Sequence, residues 1–290
     1  MPKANSADWR LATTSSRYDK MGNFPMIDTS AADAYEEYLV PFAFEPWARL
    51  VIDQAGLAPG QKVLDVGCGT GVAAKLAAVV VQAKGSVVGV DTDEAMLTVA
   101  RRSTPAKAAA HIEWRHADAH QLPFAEGKFD AVLCFEALQF LPNRAKALAE
   151  FRRVLGPNGR LFGTLWGPLH DNPPYHALAE GLEKFVSADA GRLPPFALGD
   201  RTVIHRMLVD SGFLDVSVEP QQITRSVPSA REFVRWVAAG APTTRHKLSM
   251  LADDKREAFL QFVEERLERF RRAGVLELPT MRHIFRTSAN

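Results

Sequence analysis

The chain has 290 residues, 47% hydrophobic and 24% charged, proportions that exclude a disordered or fibrous protein and suit one substantial core with a smaller appendage. Lys and Arg number 35 and Asp and Glu 34, a net charge of +1, which gives no basic field for a phosphate backbone; a small-molecule partner is expected and no nucleic acid. Two cysteines, Cys68 and Cys134, make neither a disulfide framework nor a zinc cluster. No apolar run reaches the length of a membrane span and Met1 to Ser6 carry no signal pattern, so the cytoplasm is expected and membrane insertion is not.

Residues before about 31 are polar and aperiodic, yet Trp9, Tyr18, Phe24 and Met26 are apolar anchors expected to fold over something. Two helices are predicted at 31–39 and 45–55, flanking Pro41, the second ending before Gly56. Strands follow near 63–67, 86–91, 111–115, 129–135 and 159–166, alternating with helices near 72–82, 93–102 and 143–155. Such alternation calls for a parallel sheet covered on both faces. A helix at 201–211 stops at Gly212, and 213–219 reads as the next strand. The stretch 229–274 reads as helical: Phe233, Val234, Trp236 and Val237, then Phe259, Phe262, Val263, Leu267 and Phe270, fall at helical spacing against a charged face. Inserted at the sheet's edge, it is expected to be a lid over the substrate.

Chemistry concentrates after the first strand. Val63, Leu64 and Val66 form a buried-strand run, and Gly67, Gly69 and Gly71 then allow a sharp turn and close ligand approach before a helix. Asp91 ends the second strand about twenty residues later, where a carboxylate accepts hydrogen bonds from ribose hydroxyls. Each glycine alone reads as an ordinary turn, and Asp91 alone as a helix cap; together they describe a nucleoside pocket. A dinucleotide site wants a third glycine where Val72 stands, which disfavours a nicotinamide dehydrogenase.

The runs Asp65-Val66-Gly67-Cys68-Gly69-Thr70-Gly71, Asp91-Thr92-Asp93-Glu94-Ala95-Met96-Leu97, Ala117-Asp118-Ala119-His120-Gln121-Leu122-Pro123-Phe124, Phe129-Asp130-Ala131-Val132-Leu133-Cys134 and Leu155-Gly156-Pro157-Asn158-Gly159-Arg160-Leu161 resemble the class I methyltransferases. The resemblance is to their small-molecule branch, which includes ubiquinone/menaquinone-biosynthesis enzymes, and covers roughly the central hundred residues. It implies an α/β fold with a Rossmann-like, seven-stranded, mostly parallel sheet, helices on both faces and a helical lid. A final antiparallel strand belongs to that fold, and 281–286 is the late segment that fits it. The implied division is an N-terminal helical segment over the site (1–58), a core (59–228 and 275–290) and the lid (229–274).

The implied cofactor is S-adenosylmethionine, with S-adenosylhomocysteine as product. Asp65, Gly67, Gly69 and Asp91 would belong to its site. Asp118 would accept the exocyclic amine of adenine, the Ala119 amide would bond a ring nitrogen, and Thr92 and Met96 would flank adenine and ribose. Phe135 and Gln139 would contact the methionine moiety, and Glu136 reads as either a base or a solvent-facing residue. Tyr35, Tyr38 and Trp47 stand where an aromatic face steadies a sulfonium; for Trp47, Tyr35 and Met96, core packing competes. If the acceptor must lose a proton, His170 and His176 are the expected bases. Asn172-Pro173-Pro174-Tyr175 matches an amine-gripping motif of other methyltransferases, but follows the fifth strand instead of the fourth and is expected to be a loop without that role. Glu136 is the lone acidic residue at the fourth strand's end, so no metal is expected. The principal reading is methyl transfer to an O, N or C atom of a small aromatic or apolar metabolite. RNA or protein methylation and non-catalytic S-adenosylmethionine binding are the alternatives, and a homodimer is left open.

Overall fold

Alternate residues of the first strand face opposite helical layers, and that fixes the architecture. In the computed structural model, which describes residues 28–289 apart from Lys107, β1 (Lys62–Val66) sends Leu64 and Val66 into one core and Val63 into another, as a period of two requires. Around it lie β2 (Ser86–Asp91), β3 (His111–His116), β4 (Phe129–Phe135) and β5 (Leu155–Trp166), all parallel. The helices α3 (Val72–Val81), α4 (Glu94–Ser103) and α5 (Arg144–Val154) provide the crossovers. One face packs Leu148 and Phe151 of α5 and Ile204 and Leu208 of a later helix, α7 (Arg201–Asp210). The other packs α3 and α2 (Glu45–Ala55) through Ala73, Ala77, Trp47 and Val51.

The strand order is β3-β2-β1-β4-β5-β8-β6, with β8 (Val275–Ser288) antiparallel to both β5 and β6 (Leu214–Val227). This is the mostly parallel Rossmann-like sheet expected, with a two-residue β7 (Arg271–Arg272) beside β8 as an eighth strand. The last two strands are twice as long as the expected 213–219 and 281–286. Their outer halves, paired from Gln221 with Arg282 to Val227 with Leu276, extend the sheet into a ribbon. At the ribbon's end sit α8 (Ala230–Gly240), α9 (Pro242–Ser249) and α10 (Asp253–Leu267).

Two elements differ from expectation. Residues 30–55 form one unbroken helical run: a short α1 (Ser30–Ala34) passes into a π-helix over Tyr35–Phe44, which contains Pro41, and then into α2. Proline has no N–H and its ring collides with the carbonyl four residues back in an α-helix; the wider π turn carries the chain past it without a break. The second is α6 (Pro173–Phe185), absent from the sequence reading. Its first turn is the Asn-Pro-Pro-Tyr segment, with Pro173 at the first helical position, where no N–H is needed. Leu178 and Leu182 of α6 join Phe233, Phe259 and Val263 of the 230–267 helices, Phe42 of the π segment and Leu276 and Leu278 of the ribbon in a third apolar core. Trp9, Tyr18, Phe24 and Met26 lie outside the described residues.

Candidate active site

The parallel strands end on one side, and two cavities meet there. The first, about 550 Å³, lies over the glycine turn and is walled by Gly69, Asp91, Met96, Asp118 and Ala119 among others, with Gly67 at its edge. The second, about 450 Å³, lies beneath the helices and is mainly aromatic and aliphatic, with Phe44, Trp166, Tyr175 and Phe196 in its walls. Tyr35, Gly67, Glu136 and Phe140 line both.

The three glycines do different things. Gly69, at φ +54°, would carry a Cβ into space free of protein atoms within 4 Å. Gly71, at φ +90°, would drive one to 2.2 Å from Cη2 of Trp114, and Gly67, at φ +69°, to 2.4 Å from the Ala137 Cβ. Gly69 alone of the three therefore leaves room for a ligand; the other two make room for side chains of the fold. Asp91 is held at the rim: its Oδ2 accepts the Gly69 N–H at 2.8 Å and its Oδ1 the Asp93 N–H at 2.9 Å. Burial pushes its carboxyl up, against the pull of those amides. Thr92 and Met96 line the same cavity, the latter near the start of α4, capped by Asp93. Asp118 is exposed there, fixed by the His120 amide at 2.9 Å and the His120 ring at 2.6 Å, contacts that hold its carboxyl below the usual range.

Other residues of the sequence reading are placed differently. Asp65 lines neither cavity: it is buried under the turn, where its Oδ2 accepts the Ala74 N–H at 3.0 Å and braces the start of α3. With no cation beside it, burial pushes its carboxyl up to about 7. Phe135 and Gln139 line the apolar cavity and not the glycine-turn one. Tyr35 stacks on Phe44, ring centroids 5.0 Å apart, and faces both cavities. Trp47 is fully buried against Arg282, and Tyr38 lies under Arg235. His170 and His176 are exposed; neither lines the cavities just described, since His170 lies in the short turn Leu169–Asp171 before α6, bordering a separate open cleft beside Asp171 and Arg201, and His176 on the outer side of α6. Asn172 is fully buried and spent on the fold, its side-chain amide donating to the Pro168 carbonyl and its Oδ1 accepting the Met281 N–H. Of that motif, Tyr175 reaches the apolar cavity.

At the junction stands a buried ion pair. Glu136, 7% exposed and at φ +56°, is in left-handed backbone that costs a non-glycine residue about 1 kcal/mol. Its Oε1 lies 3.3 Å from Nε of Arg282, which has no exposed surface, and its Oε2 accepts from Nε2 of Gln139 at 3.2 Å. The guanidinium sits 4.0 Å from the Trp166 ring centroid and 5.0 Å from that of Trp47, and Nη2 donates to the Ala43 carbonyl at 2.8 Å. Aromatic faces and a carbonyl of the π segment thus offset the desolvation of the cation. Burial pushes the Glu136 carboxyl up, while Arg282 is the main influence holding it down. The 3.3 Å contact lacks hydrogen-bond alignment, Glu136 Oε1 is itself sealed from solvent, and the Thr164 and Gln139 side chains add to Arg282 in holding the carboxyl down. Glu136 is thus not solvent-facing. Arg282 is absent from the sequence reading, although it falls in step with Leu276, Leu278 and Thr280, all inward-facing on β8; an arginine at that period-two position is the signal that marks it.

A family model described as a methyltransferase domain matches residues 64–163. A ubiquinone/menaquinone biosynthesis C-methyltransferase of Ectopseudomonas mendocina is 31% identical over 193 residues, 58% of this chain and 70% of the relative. The chain belongs to the class I S-adenosylmethionine-dependent methyltransferases. A 2-phytyl-1,4-naphthoquinone methyltransferase of Synechococcus elongatus is 38% identical to this chain over 115 residues, 39% of its length. The chain spans about half the length of that relative, 49%. Among solved structures, a methyltransferase of Bacillus halodurans has a TM-score of 0.54 at 21% identity, covering 83% of this chain and 98% of its own. A Haemonchus contortus phosphoethanolamine N-methyltransferase, in complex with phosphomonomethylethanolamine and S-adenosylhomocysteine, has a TM-score of 0.57 at 21% identity, covering 90% and 57%. Both likenesses are of fold. Within the family match lie the glycine turn, Asp91, Asp118 and Glu136; Tyr35 and Tyr175, which line the apolar cavity, and Arg282, which pairs with Glu136, lie outside it.

Proposed function

We propose that the protein transfers a methyl group from S-adenosylmethionine to a small, apolar, aromatic acceptor. The observation that carries this is the meeting of a polar cavity and a largely apolar one across Tyr35, Gly67, Glu136 and Phe140. The polar cavity suits an adenosine-bearing amino acid: Gly69 leaves open space, Asp91 is placed for ribose hydroxyls, and Asp118 with the Ala119 amide for the adenine edge. At about 450 Å³, the apolar one is within the range of small-molecule sites, and ring-bearing acceptors are what the named quinone-pathway relatives suggest.

When bound, the cofactor supplies a methyl group on positively charged sulfur, which leaves as a neutral thioether. The chain's own part is then alignment and exclusion of water. Phe135, Phe140 and Tyr175 give a flat ring apolar faces to lie against, while the helices of 230–267, as a lid, contribute Val237 and Gly240 to the walls. The near-balanced charge favours this over RNA methylation, and two buried free cysteines suit a reducing, cytoplasmic setting. Among the described residues no helix is long and apolar enough to cross a membrane.

Calorimetry with S-adenosylhomocysteine tests the cofactor half: binding is expected, and Asp91→Ala should weaken it about 10- to 100-fold, the loss of hydrogen bonds to a charged acceptor. Tritiated methyl transfer into the organic phase of a metabolite extract, but not into RNA or protein, tests the acceptor half. Label in RNA alone would overturn it.

A further inference from the structure

We infer that His120 is a positioning residue for base recognition: its ring, oriented by the Asn143 amide, holds Oδ1 of Asp118 and so leaves Oδ2 as the acceptor for an exocyclic amine. The assignment rests on the methyl-transfer reading above and deepens its cofactor half. Asn143, whose side chain caps α5, donates its backbone N–H to Nε2 of His120 at 3.4 Å. A ring nitrogen that accepts carries no proton, so the neutral imidazole bears its proton on Nδ1. Nδ1 lies 2.6 Å from Oδ1 of Asp118, and the same oxygen accepts the His120 backbone N–H at 2.9 Å. Two donors on one oxygen fix both the place and the rotation of the carboxylate. Oδ2 has no partner among the described residues, and the Asp118 side chain, on the wall of the glycine-turn cavity, is 59% exposed.

The loop that carries Asp118 does not need the imidazole to keep its course. Glu150 Oε2 accepts the Leu122 N–H at 2.7 Å, and Arg153 donates to the carbonyls of Leu122 at 3.0 Å and Phe124 at 2.7 Å, so α5 grips the backbone independently. What the ring adds is aim. An exposed aspartate otherwise loses rotamer freedom when a ligand fixes it, a cost that binding must offset; with His120 in place that ordering is complete beforehand. The His120 contacts also hold the carboxyl below the usual range, so it is ionised and can only accept. An amine on the purine ring donates to it, whereas a carbonyl oxygen at the same position presents lone pairs and is repelled. Discrimination between the two therefore depends on how firmly Oδ2 is held in place.

The test uses the full chain and two ligands in calorimetry: S-adenosylhomocysteine, and S-inosylhomocysteine, which has a carbonyl oxygen in place of the exocyclic amine. The wild type should prefer the first by about 100-fold, the worth of a hydrogen bond to a charged acceptor. In His120→Ala the preference should fall to about tenfold or less, through weaker S-adenosylhomocysteine binding, with affinity for the inosine analogue changed by less than about twofold. His120→Asn, whose side-chain N–H group branches from the same carbon as Nδ1, should restore most of the preference. A residue that only shaped the loop would weaken both ligands alike and leave their ratio unmoved. In an Asp118→Asn background His120→Ala should have no further effect on the ratio, because it acts through that carboxylate. Nitrogen NMR of the wild type at mildly alkaline pH, with S-adenosylhomocysteine bound, should find the His120 proton on Nδ1, a reading that stands even if a variant does not fold. A proton on Nε2, a ratio unchanged in His120→Ala, no recovery in His120→Asn, or a further fall of the ratio in the Asp118→Asn background would each overturn the assignment. Equal binding of both ligands by the wild type would overturn it while leaving the methyl-transfer reading in place; failure of S-adenosylhomocysteine to bind would overturn both.

Discussion

Asp65 and Glu136 close the C-terminal ends of neighbouring strands, and both are buried, yet they meet the cost of burial differently. Glu136 has a cation; Asp65 has one backbone N–H and an Oδ1 with no partner. The carboxyl of Asp65 is accordingly raised to about 7, against about 3.9 in an unfolded chain. Between those values the folded protein keeps a proton that the unfolded chain has lost, so this residue lowers stability progressively as pH rises through the window, and by a constant amount above it. Asp65→Asn removes the titration. Urea unfolding of the cofactor-free protein should show the variant gaining on the wild type between about pH 4 and about pH 7, by on the order of 2–4 kcal/mol; an equal difference at both ends would refute the reading. Arg282 makes the converse case. Arg282→Met leaves the Glu136 carboxylate buried and unpaired and should cost about 3–5 kcal/mol. Adding Glu136→Gln should return much of that in a double-mutant cycle, whereas additive losses would mean that the two side chains are not coupled.

At the scale of elements, the glycine turn separates two roles that its sequence spacing runs together. Gly71→Ala places a methyl inside the Trp114 ring at φ +90° and should cost several kcal/mol, since backbone strain and overpacking each contribute about 1–3 kcal/mol. Gly69→Ala meets no protein atom, so it should lose about 1 kcal/mol to backbone strain while S-adenosylhomocysteine binding falls at least about tenfold, a loss of about 1.4 kcal/mol. Thermal melts beside calorimetry on both variants read the contrast, and similar behaviour of the two would remove it. The alternation from β1 to β5 was legible because each element is short, locally periodic and closed by its own glycine or cap. The ribbon halves of β6 and β8 were not, because polar-apolar alternation there is satisfied by helices far along the chain: Leu276 and Leu278 face Phe233 and Phe259 across the third core. Local chemistry makes Pro41 a break, but packing of Phe42 against Phe233 and Trp236 and the bond from Arg282 to Ala43 hold the chain helical through it. Likewise α6 was hidden behind two prolines that in fact begin it. In the site, Asp91 and Asp118 announce themselves by motif, whereas Arg282 acquires its meaning from Trp166, Trp47 and Glu136, more than a hundred residues away.

Across the whole molecule, the glycine-turn cavity is walled by parts that nothing else obliges to move together: Tyr35 from the π segment, the turn itself, Asp118 and His120 after β3, and Phe140 after β4. A ligand that spans them links their opening to the global unfolding of the fold. S-adenosylhomocysteine at about 100 times its Kd should stabilise the native state by about 2.7 kcal/mol, which for a chain of this size raises Tm by roughly 4–5 °C. NAD at the same concentration should do nothing, since Val72 stands where a pyrophosphate turn wants glycine. The gain should not be uniform. Amide exchange should slow over 35–44 and around Asp118, whereas α10 lines neither cavity and packs on α6 through Phe259 and Val263, so its exchange should change little. Protection confined to α10, or a shift in Tm with NAD of the same size, would show that the stabilising contact lies elsewhere than between Tyr35, the glycine turn and Asp118.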